Sequence, residues 1–225
     1  MSEIAAAVSA GPRAAERVCA LLYRGAPQRA VRYVSEGPFG AEEWRGDSVD
    51  ALADHLRRRP AETRTALVQT GGRFPRAPEC ALQTIPVVAK GAIASGSAST
   101  DCATHIGSII AFQLRNGRAP AEVGRVALQQ LDGVFTFIAL LPGANKLLAG
   151  AKNGDLFLSF GDCDSFAFTD QRAAPDKSNL IALEADDVAI LTPLSISIVD
   201  RDGMWIEKRP SQAGGPARPL PIGAA

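Results

Sequence analysis

The stretch Gln130-Leu131-Asp132-Gly133-Val134-Phe135, continuing through Leu141 to the turn Pro142-Gly143-Ala144-Asn145 and back along Lys146 to Ala151, decides how this chain folds. Before it, Val123, Val126, Ala127 and Leu131 recur at helical spacing behind Pro120, which can open a helix at its first turn. From Gly133 the period changes to that of strands, and the Pro-Gly-Ala-Asn turn makes Val134–Leu141 and Lys146–Ala151 a hairpin. Further short apolar runs follow at Leu156–Phe160, Phe166–Thr169, Val188–Leu191 and Ile196–Val199, with Asp200-Arg201-Asp202-Gly203 as a last turn.

Upstream, Asp101 stands at the start of an amphipathic helix with Ile106, Ile109, Ile110 and Leu114 on one face, stopped by Asn116-Gly117. The Gly-, Ala- and Ser-rich stretch Gly91–Ser99 reads as a loop. Ile4–Val8 suits a buried strand, followed by a helix from Pro12 carrying Ala15, Val18, Cys19 and Leu22. Ala30–Val34, Ala66–Thr70 and Ile85–Val88 are short strand candidates. Asp47 or Ser48 caps a helix with Val49, Leu52, Ala53 and Leu56 on one side, and Arg57-Arg58-Arg59 forms its solvated end. Grouped helices between runs of strands indicate an α+β layered domain rather than alternating βαβ units. The domain is expected to span residues 1–203, and residues 204–225 form a Pro/Gly-rich tail too poor in apolar residues to fold alone.

The composition is that of an ordinary globule, 46% hydrophobic and 21% charged. Lys and Arg balance Asp and Glu at 24 each, which gives no bias toward nucleic acid or an anionic membrane. No apolar run is long enough to span a bilayer, and the start lacks the basic residues and long apolar core of a signal peptide, so a cytoplasmic protein is expected. Cys19, Cys80, Cys102 and Cys163 show no metal-ligand spacing and read as reduced thiols; His55 and His105 are too few for a zinc site. No nucleotide-binding fingerprint is present, and no cofactor or metal is expected.

Five segments, in order, carry a family resemblance. Gln130–Phe135 looks like an L-x-G-x-[YF] entry to a core strand, and Leu148-Ala149-Gly150-Ala151-Lys152-Asn153-Gly154-Asp155-Leu156 resembles L-x-A-A-R-x-G-x-P-L. Phe168-Thr169-Asp170-Gln171-Arg172-Ala173 resembles A-S-D-x-x-A, Leu183–Ala189 resembles L-E-x-G-D-x-A, and Ile196–Gly203 follows as V-x-I-x-D-x-x-G. Leu22-Tyr23-Arg24-Gly25, Val87–Ile93 and Ser99-Thr100-Asp101 agree in outline with L-x-Y-R-G, V-V-H-N-G-I-I and S-x-T-D-T-E. Together they resemble the glutaminase domains of class II (N-terminal-nucleophile) glutamine amidotransferases, those of glucosamine-6-phosphate synthases in particular. The resemblance implies an N-terminal-nucleophile hydrolase-type four-layer αββα sandwich.

It also implies roles for individual residues. The family's nucleophile is a cysteine freed by removal of the initiating methionine, its own α-amine serving as base near neutral pH. Here the position holds Ser2, a hydroxyl much harder to ionise than a thiol, and Glu3 replaces a glycine beside it. The oxyanion hole uses an asparagine amide and a glycine N–H; Gly91 keeps the second, and Lys90 stands in place of the first, as a substitute donor or as a solvated charge. Asp101 matches the aspartate that holds the α-amine of glutamine, and can also cap its helix. The arginine that holds the α-carboxylate falls at Gly71 without a gap, or at Arg73 after a two-residue shift, with Arg76 nearby. Arg24 is preserved, either as a ligand-binding residue or as support beneath the N-terminus.

Apolar core positions and turns are kept while several catalytic positions differ together. The pattern points to a degenerate amidotransferase domain without ordinary glutaminase activity, acting as a ligand-binding or partner subunit. The alternative is an active serine-type amidohydrolase that uses Ser2, Lys90 and Gly91 to release ammonia. A glutamine-like small molecule is the expected ligand. A separate sugar-isomerase-like protein is the expected partner by analogy, since the sugar-isomerase domain that follows in the synthases has no room in this chain.

Overall fold

The computed structural model describes residues 3–24, 30–37, 40–58, 62–71, 85–93 and 102–208. Its order begins β1 (Glu3–Ser9), α1 (Ala14–Arg24), β2 (Val31–Gly37), β3 (Gly40–Gly46), α2 (Val49–Arg58), β4 (Thr65–Thr70), β5 (Val87–Ile93), α3 (Cys102–Arg115) and α4 (Pro120–Gln130). A run of strands completes it: β6 (Gly133–Leu141), β7 (Lys146–Lys152), β8 (Leu156–Phe160), β9 (Asp164–Phe168), β10 (Leu180–Leu183), β11 (Val188–Thr192), β12 (Ser195–Val199) and β13 (Trp205–Ile206). The strands form a seven-stranded sheet, ordered β10-β8-β9-β1-β4-β2-β3, and a six-stranded sheet, ordered β13-β12-β11-β7-β6-β5.

Alternation along the strands builds the layers. On β1, Ile4, Ala6 and Val8 join Leu67, Ile138, Leu140 and Ala149 between the two sheets. The intervening Ala5 and Ala7 face the opposite way and pack with Val18, Leu22 and Leu52 of α1 and α2. Ile106 and Ile110 of α3, with Val123 and Ala127 of α4, cover the other side of the six-stranded sheet against Phe135, Phe137 and Leu148. The result is the αββα sandwich. A strand covered on both faces needs no polar alternate residue, which is why β1 reads as an unbroken apolar run.

The expected hairpin forms as read: β6 pairs with β7, and Asn145 turns the chain in the left-handed region at φ 47. Ser48 caps α2, its Oγ accepting from Ala51 N at 3.1 Å, and Arg57 at the solvated end of that helix pairs with Asp54. Three features differ from the sequence reading. β5 runs on through Gly91, Ala92 and Ile93, because its ladder with β6 continues to Gly133; the expected loop does not begin at Gly91. β3 is an added edge strand whose exposed Glu42, Glu43 and Arg45 hide it from any apolar pattern; only Trp44 packs inward, stacked on His55. β10 pairs with β8 as an additional strand.

The six-stranded sheet continues past Gly203, since β13 pairs with β12. Lys208 then reaches back, its Nζ 2.5 Å from Asp187 Oδ2 and 3.2 Å from Glu184 Oε1. Burial pushes the Asp187 carboxyl above its ordinary range, and the Lys208 charge only partly opposes this. Residues 209–225 of the expected tail lie outside the described residues. Burial also raises the Cys19 thiol, with help from Glu16, to about 12, so it is inert as a nucleophile. Among the described residues no helix is long and apolar enough to cross a membrane, and no His, Cys, Asp and Glu group could hold a metal ion.

Candidate active site

β1 lies between β4 and β9, and β5 forms one edge of the facing sheet, so the first residue of β1 and the last turn of β5 can meet where the sandwich opens. Glu3 is held there by three elements. Its N–H donates to Thr70 Oγ1 at 3.3 Å, and that hydroxyl donates back to the Glu3 carbonyl at 3.3 Å. Its carboxylate Oε2 accepts from Thr169 Oγ1 at 2.6 Å and from Lys90 Nζ at 3.1 Å. Thr169 Oγ1 in turn accepts from Ile4 N at 3.2 Å. The ion pair is largely sheltered, with side-chain exposures of 13% for Glu3 and 29% for Lys90.

The register fixes the rest of β5. Leu140 N donates to Pro86 O, so in the antiparallel ladder residues 86, 88, 90 and 92 bond to β6 while Val87, Ala89 and Gly91 turn their backbone groups to the open edge. Two polar side chains of the other sheet cover that edge: Arg32 donates to Val87 O at 3.0 Å and Gln69 Nε2 to Ala89 O at 2.8 Å. Arg32 also pairs with Glu43. Burial alone would raise the Glu43 carboxyl, but the hydrogen bonds and charges of Arg32 and Arg45 outweigh it and hold it below its usual range.

Gly91 has φ +114, and a Cβ there would stand 2.1 Å from the Val134 carbonyl oxygen and 2.7 Å from Phe135 Cα. Only glycine lets β5 and β6 approach this closely. Directly after Thr169, Asp170 caps a short 3₁₀ turn (Gln171–Ala173) and binds Arg172 through Nε and Nη2, the latter at 2.8 Å. Hydrogen bonding to Arg172 holds the Asp170 carboxyl low, and the Lys90 charge adds to this. The rim thus carries acids and bases in pairs. A crevice of about 10 Å³ between Glu3, Leu21, Leu22, Phe168 and Asp170 is at the lower limit for one water.

The chain is 31% identical over 121 residues to glutamine–fructose-6-phosphate aminotransferase [isomerizing] of Mesorhizobium japonicum, a match covering 53% of this chain and 19% of that enzyme. The corresponding enzyme of Bradyrhizobium diazoefficiens is 33% identical over 97 residues, covering 42% of this chain and 16% of that one. In fold, glutamine phosphoribosylpyrophosphate amidotransferase from B. subtilis matches 93% of this chain and 49% of its own, with a TM-score of 0.62 at 10% identity. A structure described as the allosteric regulatory enzyme of purine biosynthesis matches the same shares at a TM-score of 0.63 and 12% identity. The chain carries a class II glutamine amidotransferase-like domain. No protein-family model matches it. The matched stretch spans about a fifth of the curated relatives' length.

Of the residues singled out from sequence, Lys90 and Gly91 stand together in β5, and Lys90, still partly exposed, is paired with Glu3. Ser2, Arg73, Arg76 and Asp101 lie outside the described residues. Arg24 ends α1, and its side chain also lies outside them. The sequence reading missed Thr70, Thr169 and Gln69 as parts of the rim. The available signal was a polar residue closing an apolar run, as in Ala66-Leu67-Val68-Gln69-Thr70 and Phe166-Ala167-Phe168-Thr169.

Proposed function

We propose that this amidotransferase-like domain does not run ordinary glutaminase chemistry and serves as a ligand-binding or partner subunit built on the retained fold. The carrying observation is the Glu3 carboxylate seated on Lys90 and Thr169. An oxyanion hole must offer unspent donors to charge that develops in the transition state. Lys90, in the position where the family resemblance has an asparagine amide, already neutralises a carboxylate, and a developing oxyanion nearby would face that carboxylate's charge. The loss of one such donor costs about 10²–10³ in rate. Gly91 keeps its outward backbone position, but the glycine is also demanded by the β5–β6 contact, so its presence does not argue for catalysis.

On this reading a glutamine-like molecule is the first ligand to test, with Asp101 toward its amine and Arg73 or Arg76 toward its carboxylate, and Arg24 beneath. The curated relatives' names pair glutamine with fructose 6-phosphate, so a separate sugar-isomerase-like protein is the first partner to test. The deciding experiment measures ammonia release from glutamine by the wild type and Ser2→Ala, alongside the intact mass. Background rates in both are expected. Turnover that depends on Ser2, in a chain whose mass shows Met1 removed, would overturn the reading and establish a serine-type amidohydrolase.

A further inference from the structure

The cluster at the start of β1 has the form of a carboxylate-binding cradle with its ligand already in place. Lys90 supplies a cation and Thr169 a hydroxyl donor to the same oxygen, Glu3 Oε2. Both donors are positioned by other contacts: Lys90 lies on a β5–β6 ladder rung opposite Thr136, and the Thr169 hydroxyl is oriented by Ile4 N. Thr136 is itself buried, and its hydroxyl finds no partner among the described residues, leaving one donor beside Lys90 that Glu3 does not use. Glu3 is tied down twice through its backbone to Thr70, so its carboxylate is presented to the cradle at high effective concentration.

The geometry points to Glu3 as an internal ligand: its carboxylate fills a monoanion cradle made by Lys90 and Thr169, closing it to small external carboxylates. A carboxylate-bearing ligand that takes the Lys90 and Thr169 donors together must displace Glu3, so occupancy of the cradle and release of the Glu3 side chain become one event. This deepens the proposed non-glutaminase reading and rests on it, but its readout is binding rather than turnover. Ammonia release by the wild type would therefore refute that reading without deciding this one.

The test titrates acetate into wild type, Glu3→Ala and Glu3→Ala/Lys90→Met, following the backbone amide of Thr169 by NMR, with thermal unfolding as the check that each variant is folded. Glu3→Ala is expected to show a saturable shift at least about tenfold tighter than any in the wild type, lost again in the double variant. Equal binding in the wild type, no binding in folded Glu3→Ala, or binding that survives Lys90→Met would each overturn the proposal. Should Glu3→Ala not fold, Glu3→Gln, which keeps the shape of the side chain and removes its charge, takes its place in the same acetate titration, with the same outcomes deciding.

Discussion

β1 and β5 each contain two chemistries within seven residues. Along Ile4–Val8 and Val87–Ala89 every side chain is buried and apolar, packed between sheets or beneath helices. At Glu3 and Lys90, at the rim of the same strands, the side chains are charged and satisfy each other across the two sheets. The inner stretches must match neighbours on both faces, so their shape is set by the whole sandwich. The rim residues need only be paired, and one pair can stand where another arrangement stood. This difference explains how a chain can share a fold with an amidotransferase, with a TM-score of 0.62, at only 10% sequence identity.

The largest expected effect tests whether the rim is always the permissive region. Gly91→Ala places a methyl 2.1 Å from a backbone oxygen, where no flexible side chain can yield, at a φ that disfavours alanine. Strain and overpacking together should cost about 2–6 kcal/mol. A large drop in the urea midpoint marks Gly91 as a core position at the rim; an unchanged midpoint would break that assignment. Ile138→Ala, in the inter-sheet core, should cost about 2–5 kcal/mol in the same measurement by leaving a cavity between the sheets.

A smaller effect is expected from the ion pair. The pair is sheltered but not dry, so a double-mutant cycle with Glu3→Gln and Lys90→Met should give a coupling of about 0.5–1 kcal/mol. A coupling as large as the Ile138 cavity term would mean that the rim is a structural centre. A value near zero would mean that the cradle does not hold Glu3 in solution.

The inner halves of these strands were legible in the sequence because burial on both faces leaves an apolar run that admits few other readings. β3 was not legible: its one inward residue, Trp44, gives no period, and its polar residues serve as an exposed edge. The Gly- and Ala-rich surroundings of Gly91 suggest the start of a loop, because composition carries no trace of a ladder continuing to Gly133. In sequence, Glu3 and Lys90 each stand alone as an unexpected residue in a family-like segment. Their contact, across 87 residues of sequence, depends on how two sheets stack, which no local motif encodes. Thr70 closes a strand candidate and Thr169 lies in a family-like segment, but their hydroxyls acquire a role only once β1 lies between β4 and β9.

The smallest effect probes whether the rim charges act as one network or as separate pairs. Arg172 holds the Asp170 carboxyl below its usual range through hydrogen bonds, and Lys90 contributes through its charge. A carboxyl whose folded value is depressed adds stability above the unfolded value, about 3.9, and that contribution is lost as pH falls through the folded value. The Asp170 side-chain ¹³C shift followed from pH 7 to pH 2 should therefore titrate below the ordinary aspartate range. Arg172→Ala should move the midpoint up by the larger amount, because it removes hydrogen bonds as well as charge. Lys90→Met should move it up by a smaller amount, because only a neighbouring charge is lost. A midpoint that ignores Lys90 would separate Asp170–Arg172 from the cradle, leaving Glu3, Thr169 and Lys90 as an isolated unit whose occupancy is set by Glu3 alone.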